Sequence, residues 1–137
     1  MTKYFILLTM LSYTVNSCSQ NKTNMLCQKW TLIKSVDPYQ GGTENLRDST
    51  NWKSIEFIKN GDYKESDPWN KVIGVWKFNE DESKFGIKEL ARNDNEITKD
   101  KIISDFRWNI LELDNSHMVL GIQGIHGIVK YYYVKSP

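Results

Sequence analysis

Long apolar runs are missing from most of this 137-residue chain. The longest lies in MTKYFILLTMLSY at the start, and it falls short of the about 20 residues that a helix needs to cross a bilayer. Membrane attachment, if there is any, must come by another route. An excess of one charge is missing too. The 18 Lys and Arg face 17 Asp and Glu, which leaves no electrostatic footprint for nucleic acid or for an acidic membrane surface. Two cysteines, Cys18 and Cys27, are too few for a disulfide framework in a domain of this size. The two histidines, His117 and His126, stand without a spaced set of further ligands, so neither zinc nor any other metal or cofactor is indicated. Gly121, Gly124 and Gly127 recur at every third residue, but this is not the phosphate-cradling pattern and no helix follows. Glu80, Asp81 and Glu82 have turn-forming neighbours and read as a solvated hairpin tip. With no catalytic constellation, the chain reads as a non-enzyme.

What is present at the start has three parts. Lys3 supplies a positive charge, Phe5 to Leu11 is nearly continuously apolar, and Val15-Asn16-Ser17 leads to Cys18. The apolar part fits the core of a secretory signal, about 7–15 residues long. Val-Asn-Ser-Cys resembles the bacterial lipobox, which implies acylation of Cys18 and attachment to a lipid bilayer. The expected division is a lipoprotein signal peptide over 1–17, a polar tether over 18–25 and a single domain over 26–137. Plain secretion, with an unmodified Cys18, is the alternative. Removing residues 1–17 takes away Lys3 and leaves 120 residues with 17 basic and 17 acidic side chains. A domain of that size buries roughly two-thirds of its unfolded surface, enough for a core without staples.

From Cys27 onward short apolar alternations recur, which is the signature of strands. They run over Cys27–Val36, Trp52–Ile58, Tyr63 to Asp67, Val72–Phe78, Phe85–Leu90, Lys101–Leu113, Met118–Leu120 and Ile128–Val134. Asn60-Gly61 is a strong hairpin signal of the kind in which both turn residues take positive φ. Asp37–Asn51 is the longest loop. Ala91–Asp100 has no clear assignment, and Thr98–Asp105 could hold a short helix, the only helical candidate. Between Ile110 and Leu111 the apolar parity flips, which marks a bulge or a bend. About eight strands joined by tight turns imply an all-β domain, with sequential hairpins favouring an up-and-down antiparallel barrel.

Several stretches resemble the small lipocalin-like lipoproteins of the Bacteroidetes type. Leu26-Cys27-Gln28-Lys29-Trp30 takes the place of the family's opening Leu-Ile/Leu-Gly-Lys-Trp, with Gln28 where glycine is usual. Ile55 to Tyr63, Gly74-Val75-Trp76-Lys77-Phe78, Trp108 to Leu120 and Tyr131 to Lys135 match its later strands. The resemblance implies a lipocalin-like barrel in which Trp30 plugs one end.

On this reading Phe57, Trp76, Phe78, Trp108 and Met118 line a barrel interior that holds a small apolar ligand. An interaction module with a filled barrel, docking on an envelope protein, is the alternative, and a barrel hydrolase or isomerase is a remote third. The expected place is the outer membrane on its periplasmic side, since Ser19-Gln20-Asn21 lacks the acidic residues that resemble a surface-export signal. The Cys18→Ala variant should leave the membrane pellet for the soluble fraction. Retention in the pellet would overturn the lipidation of Cys18.

Overall fold

The computed structural model describes residues 16–40, 44–46 and 53–137, with side chains over 21–40 and 53–137. Residues 1–15 of the expected signal segment lie outside it, as do 41–43 and 47–52 of the long loop.

One helix, α1 (Asn16–Leu26), precedes ten strands. These are β1 (Lys29–Val36), β2 (Glu44–Leu46), β3 (Ser54–Phe57), β4 (Asp62–Ser66), β5 (Lys71–Phe78), β6 (Lys84–Arg92), β7 (Asn95–Glu96), β8 (Trp108–Leu113), β9 (His117–Gly124) and β10 (Gly127–Lys135). Every pairing is antiparallel. The order runs β1-β3-β4-β5-β6-β8-β9-β10, and β10 returns to β1 through Trp30↔Lys135 to Val36↔Lys130. Eight strands therefore close into a barrel-like ring, in sequence order once β2 and β7 are set aside. Those two short strands add to β1 and β6.

The period of two explains why these residues close this way. Trp30 pairs with Ile55, Leu32 with Tyr133, Phe57 with Tyr63, and Tyr63 with Gly74. Trp76 pairs with Ile87, Phe78 with Phe85, and Phe85 with Trp108. Across each pair the side chains share a face, and that face is the interior, where most of these residues are buried. An eight-stranded ring is just wide enough for side chains to fill it.

Several local readings need correction. The polar run 18–25, expected as a tether, is the body of α1. It lacks an apolar stripe and docks through few groups of its second half: Leu26 is fully buried and Lys22 donates to the Glu82 carbonyl. The turn at Asn60-Gly61 is of a different kind from the one expected. Only Gly61 has positive φ, at 95°, and the Gly61 N–H donates to the Ile58 carbonyl, so a tight turn ends in a glycine bulge. The turn with two residues of positive φ lies instead at Asn93 (49°) and Asp94 (64°), inside the unassigned stretch. Asn and Asp tolerate that region because their short polar side chains bond locally. The expected long loop carries a 3-10 turn at Pro38–Gln40 and strand β2. Thr98–Asp105 is not helical. It forms a strap over the outside of β6, where Ile103 is buried against Gly86. A Cβ on Gly86 would stand 2.3 Å from the Asp105 carbonyl oxygen, so only glycine admits the strap this close. The parity flip at Ile110 and Leu111 is a register shift of β8 against β9.

The end of the ring where β1, β4, β6 and β9 begin is closed. There Trp30 is fully buried beneath the last turn of α1, and its indole N–H donates to the Leu26 carbonyl at 3.0 Å. Gln28, in place of glycine, donates its side-chain amide to the carbonyls of Met25 and Asn115, tying α1 to the β8–β9 turn. Truncating a buried Trp costs about 3–5 kcal/mol, out of a total stability of about 5–15 kcal/mol. Trp30→Ala should lower the circular-dichroism melting temperature by more than about 10 °C. A melt within a few degrees of wild type would show that the floor does not depend on this ring.

Candidate functional site

The five residues expected to line a ligand cavity divide into two groups. Phe57 and Met118 are buried in the closed half of the barrel, and Trp76 is 6% exposed. Edge-to-face contacts join Phe57 to Trp76 and to Phe85 at 5.4 and 5.1 Å, and Trp76 to Phe78 at 5.1 Å. Such pairs gain from ring quadrupoles beyond their buried area. The Trp76 indole N–H is satisfied by the Ile58 carbonyl at 3.0 Å. These rings touch one another, so this half of the interior is occupied by protein. Phe78 borders a solvent-open hollow with Lys77, Asn79, Glu80, Asp81 and Phe106 on the barrel's flank. Trp108 stands apart from the other four. It stacks on Phe85 with ring centroids 6.2 Å apart and 6° between planes, and it also lines a cavity of about 350 Å³.

That cavity owes its place to the sheet. Strands β6 and β8 share only two register pairs, Lys84↔Asn109 and Phe85↔Trp108. Beyond Phe85, β6 runs on to Arg92 while the chain leading into β8 arrives from the strap. The interior opens where the two strands part. Tyr63 and Glu65 of β4, Ile87, Glu89 and Arg92 of β6, Trp108 of β8 and Ile122 of β9 line the opening, with Lys53, Asp105 and Arg107 beside them. Trp108, Ile87 and Ile122 form the apolar part, and three cation–carboxylate pairs form the polar part.

Each pair is made within the site. Lys53 Nζ lies 2.8 Å from a Glu65 carboxylate oxygen, Arg92 Nη2 lies 2.7 Å from Glu89, and Arg107 grips Asp105. Lys53–Glu65 is the least exposed, with side-chain exposures of 28% and 15%. The other oxygen of Glu65 accepts the Tyr63 hydroxyl at 2.8 Å. Tyr63 is almost wholly buried, and burial, followed by the negative charge of Glu65, holds its phenol well above the usual tyrosine value. It stays a neutral donor. These charges have no counterpart among the residues singled out in the sequence, yet a signal was there. Glu65 follows Tyr63, and Glu89 follows Phe85 and Ile87, at inward parity. A carboxylate on the buried face of a strand is expensive unless paired, so inward-facing Glu65 and Glu89 mark a polar site.

Elsewhere the chemistry is quiet. Cys27 packs half-buried against the core, and burial raises its thiol pKa, which makes it a poor nucleophile. His126 stacks with Tyr39 at 4.7 Å, and His117 sits near Asp114 at an exposed turn. Among the described residues no three metal-capable side chains cluster, and no helix is long and apolar enough to cross a membrane. A further groove of about 300 Å³ lies on the outer face, among Lys29, Glu56, Lys64 and Ile73. Glu65 and the buried Val72 also border it. The chain matches no protein-family model, no curated protein and no solved structure. The site must therefore be read from its own geometry.

The Tyr63–Glu65 bond carries a pH signature. The phenol's folded pKa lies above its unfolded value of about 10. The neutral form is favoured by folding, so this contribution is complete below about pH 10 and is lost as pH rises from there toward the folded pKa. In urea unfolding between about pH 9 and 11.5, wild type should lose stability more steeply than Tyr63→Phe. Parallel pH profiles for the two proteins would contradict the assignment.

Proposed function

We propose that this protein is a binding protein of the cell envelope, built on a lipocalin-like barrel, which holds a small molecule at the opening between β6 and β8. The observation that carries the reading is the cavity of about 350 Å³ above Trp108. Its size falls at the lower end of the range for ligand sites, about 300–1,000 Å³. Six of its ten lining residues are charged, with Tyr63, Ile87, Trp108 and Ile122 making up the rest, so it is more polar than the usual ligand site. The packed rings of Phe57, Trp76 and Phe85 favour a shallow site over a deep apolar lumen. A long aliphatic cargo has no room below Trp108.

The envelope half of the proposal rests on the lipobox-like Val15-Asn16-Ser17-Cys18 and on the polarity of the barrel. Cys18 lies in α1, whose end docks on the closed floor. At about 1.5 Å per residue it stands about 12 Å from Leu26 along the helix. An acylated Cys18 would hold the floor toward the bilayer and leave the β6–β8 opening accessible from water, a sensible orientation for capture of a soluble ligand.

An interaction module docking on an envelope protein is the second reading. It is favoured by large apolar side chains left exposed on loops, with Tyr39 72%, Trp69 75% and Ile125 97% exposed. Mass spectrometry of natively purified protein separates the two. The binding reading expects a co-purifying small molecule that is lost from Ile122→Trp, a substitution that fills the cavity, while the melt is retained. Absence of any adduct from wild type, together with a protein partner lost on replacing Trp69 and Ile125 by Ser, would favour the module.

A further inference from the structure

Given the site proposed above, the charges within it point to the chemistry of its ligand. The cations of the lining are matched by carboxylates of the same lining. Lys53 faces Glu65 at 2.8 Å and Arg92 faces Glu89 at 2.7 Å. A fatty acid or another organic anion would need a cation to itself, and to obtain one here it must displace a carboxylate of the protein. An organic cation meets the same obstacle with the sign reversed. A neutral ligand leaves both pairs intact and can still bond to them.

Each pair sets a strong donor beside a strong acceptor. Vicinal hydroxyl groups have the complementary property, since each one donates and accepts. One hydroxyl can donate to a carboxylate oxygen while its neighbour accepts from the guanidinium or ammonium, and bonds to ionised groups are the stronger kind. Trp108 and Ile122 line the same cavity and offer apolar surface suited to the C–H face of a saturated ring. The floor behind Trp108 is closed by Phe85, which limits the ligand to a compact unit. We propose that the cavity takes a neutral polyhydroxylated ring, a single sugar unit, with hydroxyls on the Glu65–Lys53 and Glu89–Arg92 pairs and its apolar face toward Trp108.

The inference depends on the cavity being a ligand site, and one titration series tests the two separately. Tryptophan emission of the full mature chain is followed with glucose, galactose, mannose and N-acetylglucosamine. Octanoate, glycine betaine and an uncharged apolar dye are run alongside. The expected result is a saturable change with at least one of the four sugars and none with octanoate or betaine. Because no net charge is exchanged, Kd should move less than about twofold between low and high salt. Glu89→Gln, which keeps shape and removes charge, should weaken binding about tenfold or more. Trp108→Phe should lose most of the signal, and Trp76→Phe should keep it, which assigns the response to the cavity.

If octanoate, betaine or the dye saturates the Trp108 response and no sugar does, the sugar inference is overturned while the site stands. If sugar binding survives Glu89→Gln and Ile122→Trp unchanged, the sugar sits elsewhere and the inference again fails. If no probe gives a saturable change and no adduct co-purifies, the binding reading falls and takes the inference with it.

Discussion

The pairing of Trp30–Val36 with Lys130–Lys135 joins the first long strand of the domain to its last, and the interior exists because of it. Unpaired, β1 and β10 would be two sheet edges with open backbone donors and acceptors. Joined, they give every ring strand two neighbours and define an inside. The same closure brings Tyr131 and Tyr133 of β10 toward Trp108, Met118 and Leu32. It also fixes Trp30 at the floor, where α1 caps it. A register shift in β1 between Leu32 and Lys34 lets one strand serve β3 over its first half and β2 over its second, with β10 alongside throughout.

Filling decides what the interior can hold. The rings of Phe57, Trp76, Phe78, Phe85 and Trp108 form a continuous set of contacts through the closed half of the ring. Interiors pack at crystal-like density, so five large rings in so narrow a barrel leave no channel among them. Above Trp108 the short β6–β8 seam takes over, and the ring spreads. Water reaches Glu89, Arg92, Asp105 and Arg107 there, and half-exposed pairs of this kind contribute little to stability. Lys53–Glu65–Tyr63 differs, because it is largely shielded and its members satisfy one another.

Strand identity was legible in the residues. Ile55 and Phe57, then Gly74, Trp76 and Phe78, announce their faces by simple alternation, and the flip after Ile110 announces a bulge. Turn chemistry was partly legible. Gly61 supplies the positive φ that its hairpin needs, but the number of residues in the loop depends on how β3 and β4 align, and the alignment moved that conformation off Asn60. The Asn93-Asp94 turn was hidden because its partner β7 is only two residues long. The helix was missed for a related reason. A segment that buries one leucine and otherwise docks through polar groups shows no 3.6-residue apolar period, which is the signal that such a reading relies on.

Of the candidate site, Trp108 was readable as an inward aromatic, while Glu65, Glu89 and Ile122 were not assembled. The sequence by itself determined the all-β class, the antiparallel order of hairpins and the inward set of aromatic residues. These follow from local alternation with period two and from turn residues a few positions apart. Only the tertiary structure decided that Phe57, Trp76 and Met118 fill the barrel while Trp108 borders a cavity. That outcome depends on the stagger of strands distant in sequence, above all on β6 and β8 meeting for two residues and then parting. Local patterns carry no record of such a seam, because the geometry that sets it is shared by the whole ring.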